Sequence, residues 1–156
     1  MLGKLLRKLF GSESDAAAEQ SITSTALPPT SGEYITHISA GSNLVDGQPT
    51  WERAEERKDD LDFMLRCCDA ELKTMHKASI VAAPYYFERA AILLRKAKEY
   101  RREVGLCERY IREVEAYYQS PGAQHTADVR LGPRYSSISA RVPKAKLLLV
   151  RAKSAT

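Results

Sequence analysis

Residues 84–118, PYYFERAAILLRKAKEYRREVGLCERYIREVEAYY, carry the clearest periodic pattern in the chain. Apolar and aromatic side chains recur there at alternating spacings of four and three residues, which places them on one face of a helix. Pro84 suits a first helical turn, because its ring fixes φ and no needed N–H is lost. The pattern predicts either one long helix or two helices joined near residues 98–100. The positions of this face are Tyr86, Ala90, Leu93, Ala97, Tyr100, Val104, Cys107, Ile111, Val114 and Tyr118.

A second apolar stripe precedes this stretch and predicts a helix over residues 50–77. Its members are again three and four residues apart, and Lys58 is the one interruption. Thr50 is a favoured N-cap residue type, because its side chain can accept from free backbone N–H groups. A loop over 78–83 is expected to connect the two helical stretches.

A last helix is predicted over residues 139–153, where an apolar stripe recurs. Pro143 falls in its first turn, where proline is tolerated. The competing interpretation is a strand over 146–151, because residues 147–150 are a short apolar run. The helix is favoured, since no other convincing strand offers a partner. A loop is expected at about 120–137. The helical stripe consists of Val142, Ala145, Leu149 and Ala152.

The pattern of residues 1–11 predicts a basic amphipathic helix that attaches the protein to a membrane or to a partner protein. Apolar residues fall on one side and bases on the other, and Gly11 can end the helix. Such a helix can lie on an anionic membrane or dock in a partner's groove. The attachment residues are Leu2, Lys4, Leu5, Leu6, Arg7, Lys8, Leu9 and Phe10.

Residues 12–48 are predicted to be a flexible linker. They are rich in Ser, Thr, Ala, Gly and Pro, contain no Lys or Arg, and have Tyr34 as their one aromatic residue. Such a segment buries too little apolar surface to offset the entropy of ordering. A short strand over 34–38 is the alternative to an extended chain there. The sequence therefore predicts an all-α fold, with a helical domain over 49–156 preceded by a flexible arm.

Composition limits the class of protein and its compartment. The chain has 156 residues, of which 28% are charged and 44% hydrophobic, and its mean hydropathy is −0.39. These values are typical of a soluble domain and exclude a wholly disordered or membrane-spanning chain. Three cysteines, two of them adjacent, do not resemble a disulfide framework. With no signal peptide evident, a cytoplasmic protein is predicted, with peripheral membrane attachment as the alternative.

The segment PYYFERAAILLRKAKEYRREVGLCERYIREV, residues 84–114, resembles a single tetratricopeptide-like helical hairpin. Tyr100 stands at the aromatic position of the turn, whereas Glu103 and Tyr110 depart from small positions of the family. The resemblance implies a helix–turn–helix that binds proteins without a cofactor or catalysis. Its matching core positions are Phe87, Ala90, Ala91, Leu94, Cys107 and Ile111.

The sequence contains no catalytic or metal-binding signature. Glu71-Leu72-Lys73 has the E-x-K form of one nuclease class, but within a helix the two charged side chains face different directions. A solvated helix face is therefore expected there. The adjacent Cys67 and Cys68 point about 100° apart on a helix and cannot chelate zinc as a pair. We predict a protein that is not an enzyme and has no cofactor or metal.

Arginine and tyrosine are interleaved over residues 85–118, and protein interfaces enrich both residue types. The leading prediction is a non-enzymatic adaptor that presents this Arg/Tyr-rich helical surface to a protein partner of unknown identity. The residues expected to contact the partner are Tyr85, Arg89, Arg95, Arg102, Arg109 and Tyr110.

The basic C-terminal region favours a different partner. Residues 121–156 carry seven Lys or Arg and one acid, although the net charge of the chain is only +4. Such asymmetry is typical of proteins that bind nucleic acid. The alternative function is therefore a small nucleic-acid-binding accessory protein. Its contacts would be Arg130, Arg134, Arg141, Lys144 and Lys146.

Overall fold

The computed structural model describes residues 30–125 and 127–155. These residues form a helical domain with one small two-stranded hairpin, which confirms the predicted all-α class. The predicted attachment helix at 1–11 lies outside them. The elements are α1 Ser31–Ile38, β1 Leu44–Val45, β2 Gln48–Pro49, α2 Leu61–Ala78, α3 Pro84–Lys96, α4 Tyr100–Gln119 and α5 Pro133–Ser154, with 3-10 turns at Pro121–His125 and Val129–Leu131 between α4 and α5.

The described part of the predicted linker over 12–48 is ordered, which corrects that prediction. Residues 34–38 belong to helix α1 and do not form a short strand. The helix begins at a capping box: Glu33 N–H donates to Thr30 Oγ1 at 3.2 Å, and Thr30 N–H donates to Glu33 Oε2 at 2.7 Å. The turn between β1 and β2 has Asp46 and Gly47 at φ 54° and 77°. Two-residue hairpin turns require such positive φ values, so this Asp-Gly pair was the available sequence signal.

Helix α2 begins later than predicted, because its cap is Asp60 and not Thr50. Asp60 Oδ1 accepts from the N–H of Phe63 at 2.9 Å. Thr50 is buried and donates its hydroxyl to Glu71 Oε1 at 2.8 Å. Residues 51–59 form turns rather than helix. The tertiary partner of Thr50 thus prevails over the local helical pattern of the segment.

Residues 84–119 form two helices and not one. The turn between α3 and α4 contains Lys98 in the left-handed conformation, with φ 58°, which interrupts the helical repeat. Phe87 of α3 packs on Tyr110 of α4 with ring centroids 4.3 Å apart. A helix–turn–helix is therefore present where the tetratricopeptide resemblance implied one, whereas membership of that family stays a prediction.

Helix α5 begins inside the segment predicted as a loop at 120–137. Its first turns are held by Tyr135, whose hydroxyl donates to Glu115 Oε1 of α4 at 2.8 Å. Pro143 consequently lies within the helix and not in its first turn. Residues 146–151 are helical, which excludes the alternative strand.

The core lies between α2, α3, α4 and α5. Each of these helices packs against the next one in the chain, and α5 also contacts α3. Helix α5 is antiparallel to α4, because Tyr135 near its start contacts Glu115, whereas Arg141 further along contacts Glu103. The largest fully buried side chains are Tyr110, Phe63, Phe87, Met64, Leu94 and Ile138.

Candidate functional site

Two members of the predicted Arg/Tyr surface face inward. Tyr110 is 0% exposed, and its hydroxyl donates to the carbonyl oxygen of Ala82 at 3.0 Å. This buried hydrogen bond corrects the assignment of Tyr110 as a partner contact. Arg95 is committed to an internal ion pair, because its Nε donates to Glu103 Oε2 at 2.9 Å.

The other four members of that surface are not gathered in one patch. Each of them contacts a different part of the protein, and those parts lie on α5, on the segment before α2, at the start of α4 and on α2. Because these four side chains are engaged in different places, they do not form one continuous surface. The contacts are the Arg134 guanidinium over the Tyr85 ring, Arg89 on the carbonyl oxygen of Lys58, Arg102 beside Glu99 and Arg109 on Asp69.

Acidic side chains neutralise most of the predicted nucleic-acid contacts. Arg130 pairs with Asp128 and Glu115 at 2.7 and 2.9 Å, and its guanidinium lies over the Tyr118 ring. Of the five predicted contacts, only Lys144 has no ion pair with a described residue. The positive potential at this region is therefore weaker than its sequence suggests. The remaining pairs are Arg134 with Glu88, Arg141 with Glu103 and Lys146 with Glu108.

Glu103 of α4 is the centre of a buried cluster that joins three helices. It is 0% exposed, and its Oε1 lies 2.8 Å from Arg95 Nη2 of α3 and 3.0 Å from Arg141 Nη1 of α5. Arg95 also donates to the carbonyl oxygen of Arg141 at 3.3 Å. A buried carboxylate is tolerated only when it is paired, so this cluster serves the packing of α5.

An open groove of about 510 Å³ lies between α1 and the β1–β2 hairpin. Trp51, the one tryptophan of the chain, lines it and is 43% exposed. The indole lies so close to Gly32 that a Cβ at that position would be 2.7 Å from its Cζ2. Gly32, which has no Cβ, therefore allows the ring to approach α1 this closely. Leu44 and Pro49 add apolar surface from the two strands.

The charges along this groove are negative. Glu33 and Glu52 line it, and none of its described lining residues is Lys or Arg. Hydrogen bonds from the backbone N–H and hydroxyl of Thr30 lower the pKa of the Glu33 carboxyl, so it is ionised at neutral pH. Sequence reasoning missed the groove because the helix predicted over residues 50–77 includes Trp51, which would then face the core. The Asp-Gly turn just before the tryptophan was the signal that could have found it.

Metal-ligating side chains are not clustered in the described ranges, where no group of three or more His, Cys, Asp or Glu could hold an ion. The E-x-K residues do not converge: Glu71 points inward and accepts from the N–H of Ala83 at 3.0 Å, whereas Lys73 is exposed. The three thiols are free and buried, so none faces a groove as a nucleophile.

Residues 30–125 and 127–155 include no helix with the length and apolar character needed to cross a membrane. Comparisons of the chain with family models, with curated proteins and with solved structures find no match.

Proposed function

We propose that this protein is a non-enzymatic adaptor whose groove at Trp51 binds a partner peptide with an apolar side chain flanked by Lys or Arg. The proposal is carried by the half-exposed indole in an open groove. Tryptophan is among the residues that contribute most to binding energy at protein interfaces, because it combines a large apolar area with a polar N–H.

The groove is held by contacts that need no partner. Thr50, which precedes Trp51 in the chain, is hydrogen-bonded to Glu71 of α2. Asp46 in the hairpin turn forms ion pairs with Arg57 and Arg66 at 2.9 and 2.5 Å. A preformed site spares the entropy of ordering on binding. These contacts support a docking site whose shape exists before the peptide arrives.

The charges of the groove determine which peptide it favours. Glu33 and Glu52 attract Lys or Arg and repel acidic side chains, which gives specificity and faster association. Leu44 and Pro49 line the same groove as the indole and offer aliphatic contact to one apolar side chain. An apolar anchor between bases therefore matches both the shape and the charge of the groove.

Two further features are consistent with an adaptor. The tetratricopeptide-like resemblance of α3 and α4 implies protein binding. The free thiols of Cys67, Cys68 and Cys107 suit the reducing cytoplasm that we propose as the compartment.

Fluorescence of Trp51 reports binding directly, because the chain has no other tryptophan. The full chain is titrated with a short synthetic peptide that has one leucine between lysines. We expect a saturable blue shift of the emission as the indole loses water, weakening as salt is added. Matched peptides with alanine for leucine, or glutamate for lysine, are expected to bind about tenfold more weakly.

A pair of variants tests the location. Glu52→Lys reverses a charge in the groove and is expected to weaken binding of the lysine peptide. Glu56→Lys makes the same change outside the groove lining and is expected to leave binding unchanged. No spectral response to any of the peptides, or equal responses to the basic and acidic ones, would contradict the proposal.

A further inference from the structure

Helix α5 carries a second apolar stripe, on the side away from the core. Ala140, Pro143, Leu147 and Val150 follow one another at spacings of three and four residues, so they lie along one side of the helix. All four are exposed, Leu147 by 51% and Val150 by 62%. This stripe makes no contribution to the core, and packing within the domain does not explain it.

The opposite side of α5 fixes the helix in the domain. Ile138 and Ala145 are fully buried, and Arg141 is paired with Glu103 near the start of α4. Helix α5 continues to Ser154, about 20 Å beyond Arg141 at the rise of an α-helix. Its last turns contribute no residue to the buried core. Consistently, every residue from 150 to 155 is exposed.

Basic side chains border the outward stripe on both sides. Lys144 and Arg151 are seven residues apart along one border, and Lys146 and Lys153 are seven residues apart along the other. Lys146 pairs with Glu108 at 2.6 Å but its side chain is still 55% exposed. The other three bases form no ion pair with any described residue. The uncompensated positive charge of α5 thus lies beside its exposed apolar stripe.

We propose that the outward face of α5 lies on an anionic membrane surface. Leu147 and Val150 enter the boundary between headgroups and acyl chains, and the four bordering bases reach the lipid phosphates. Helices that bind in a membrane interface have this arrangement, because long Lys and Arg side chains extend from the apolar side to the headgroups. This surface is separate from the groove at Trp51 and does not depend on the function proposed for that groove.

The apolar stripe distinguishes a membrane from nucleic acid. A phosphate backbone would pair with the bases but would leave Leu147 and Val150 in water. A lipid interface buries both side chains and gains the free energy of removing apolar surface from water. The combination of charge and exposed apolar surface therefore favours lipid.

Flotation with vesicles tests the proposal on the full chain. The probes are vesicles of phosphatidylcholine with about one third phosphatidylserine, and vesicles of phosphatidylcholine alone. We expect the chain to float with the anionic vesicles, less so as salt is added, and to float poorly with the neutral ones. Leu147→Glu/Val150→Glu is expected to reduce the partition coefficient about tenfold or more. Its melting temperature should match that of the parent, because both side chains are exposed.

Two control variants locate the effect. Tyr34→Glu/Leu131→Glu adds the same two charges at exposed apolar positions outside α5 and is expected to float like the parent. Leu5→Glu/Leu9→Glu tests the predicted attachment segment at 1–11. The proposal is overturned if the parent does not float with anionic vesicles or if the α5 variant floats as well as the parent. Loss of flotation in Leu5→Glu/Leu9→Glu alone would assign membrane binding to the N-terminal segment and overturn it equally.

Discussion

Tyr110 is buried because it has a hydrogen-bond partner that no local pattern reveals. Six tyrosines between residues 85 and 118 suggested an exposed surface, since they cannot all face one core. The carbonyl oxygen of Ala82 accepts from the Tyr110 hydroxyl across 28 residues of chain, and this bond makes burial of the phenol tolerable. Periodicity identifies which positions face inward, but not which polar groups find partners there.

Tyr110→Phe tests how much this hydrogen bond contributes to the free energy of unfolding. The ring contact with Phe87 is kept, whereas the buried carbonyl oxygen of Ala82 loses its donor. We expect a loss of about 1–2 kcal/mol in the free energy of unfolding, measured in urea. The exposed Tyr34→Phe is the control and should change stability by less than about 0.5 kcal/mol. Equal effects of the two substitutions would contradict the assignment.

The three cysteines are predicted to be unreactive in the folded protein. Burial raises the pKa of the Cys67 and Cys107 thiols to about 12, and it raises that of Cys68 well above its ordinary value. Only the thiolate reacts readily. With an aromatic disulfide reagent at about pH 8, we expect negligible reaction in buffer and three thiols per chain in denaturant. A rapidly reacting thiol in the folded chain would contradict this burial.

Glu71 is expected to make stability depend on pH. Burial raises the pKa of its carboxyl above the ordinary 4.5, although donors from Ala83 and Thr50 oppose the shift. The folded state therefore binds this proton more tightly than the unfolded state. The resulting stabilisation is full below the unfolded pKa and is lost as pH rises through the folded pKa.

Glu71→Gln isolates this dependence. The stability of the parent minus that of the variant, from urea midpoints, should fall as pH rises above about 4.5 and then level off. Glu99→Gln, at an exposed position, is the control and should leave the profile of the parent unchanged. A constant difference between parent and Glu71→Gln across this range would show that burial does not perturb Glu71.

At the level of helices, Glu103 holds α5 against α3 and α4. Glu103→Leu would leave Arg95 and Arg141 facing each other beside the core without their shared anion. We expect a loss of about 3–5 kcal/mol in the free energy of unfolding. Glu99→Gln, which breaks the exposed contact with Arg102, should cost less than about 0.5 kcal/mol. A cost below about 1 kcal/mol for Glu103→Leu would show that the cluster is not needed.

Helix existence could be predicted from the sequence wherever one side faces the core. This holds for α3, α4 and most of α5. The start of α2 could not be predicted, because Thr50 is used by Glu71 and Asp60 is the true cap. Helix α1 and the hairpin were missed, because local capping and an Asp-Gly turn order them despite a composition poor in apolar residues.

The candidate sites were harder to predict than the helices. The groove depends on the approach of Gly32 to Trp51, a tertiary contact with no periodic signal. The outward stripe of α5 was overlooked for another reason. The two apolar stripes lie on different sides of α5, so they oppose each other in the overall amphipathicity of the helix. The helix predicted from the sequence was assigned a single apolar face, so only the stripe that packs was considered.

Across the whole domain, the free energy of local opening is expected to differ from helix to helix. Helix α1 contains no buried residue, whereas α2, α3 and α4 supply most of the core. Hydrogen exchange of backbone amides should therefore be fastest in α1, which can open without unfolding the core. Amides of α3 in the same experiment are the internal control and should exchange only with global unfolding. Equal protection of α1 and α3 would show that the groove and the core form one cooperative unit.

The two proposed sites carry opposite charge. The groove at Trp51 is lined by Glu33 and Glu52, whereas the outward face of α5 is bordered by four bases. A basic peptide would itself be attracted to an anionic membrane. The two proposals therefore match each surface to a partner of opposite charge.

The order of packing along the chain has a consequence for synthesis. Helices α2, α3 and α4 each pack on their neighbour in sequence, and α5 leaves the ribosome after them. Packing between sequence neighbours closes short loops, which favours fast folding. When α3 and α4 pair, Glu103 already meets Arg95, so the nascent hairpin pairs this anion with one cation. When α5 packs, Arg141 adds the second cation. A chain that stalls before α5 is made would therefore leave Glu103 with one of its two arginine partners missing.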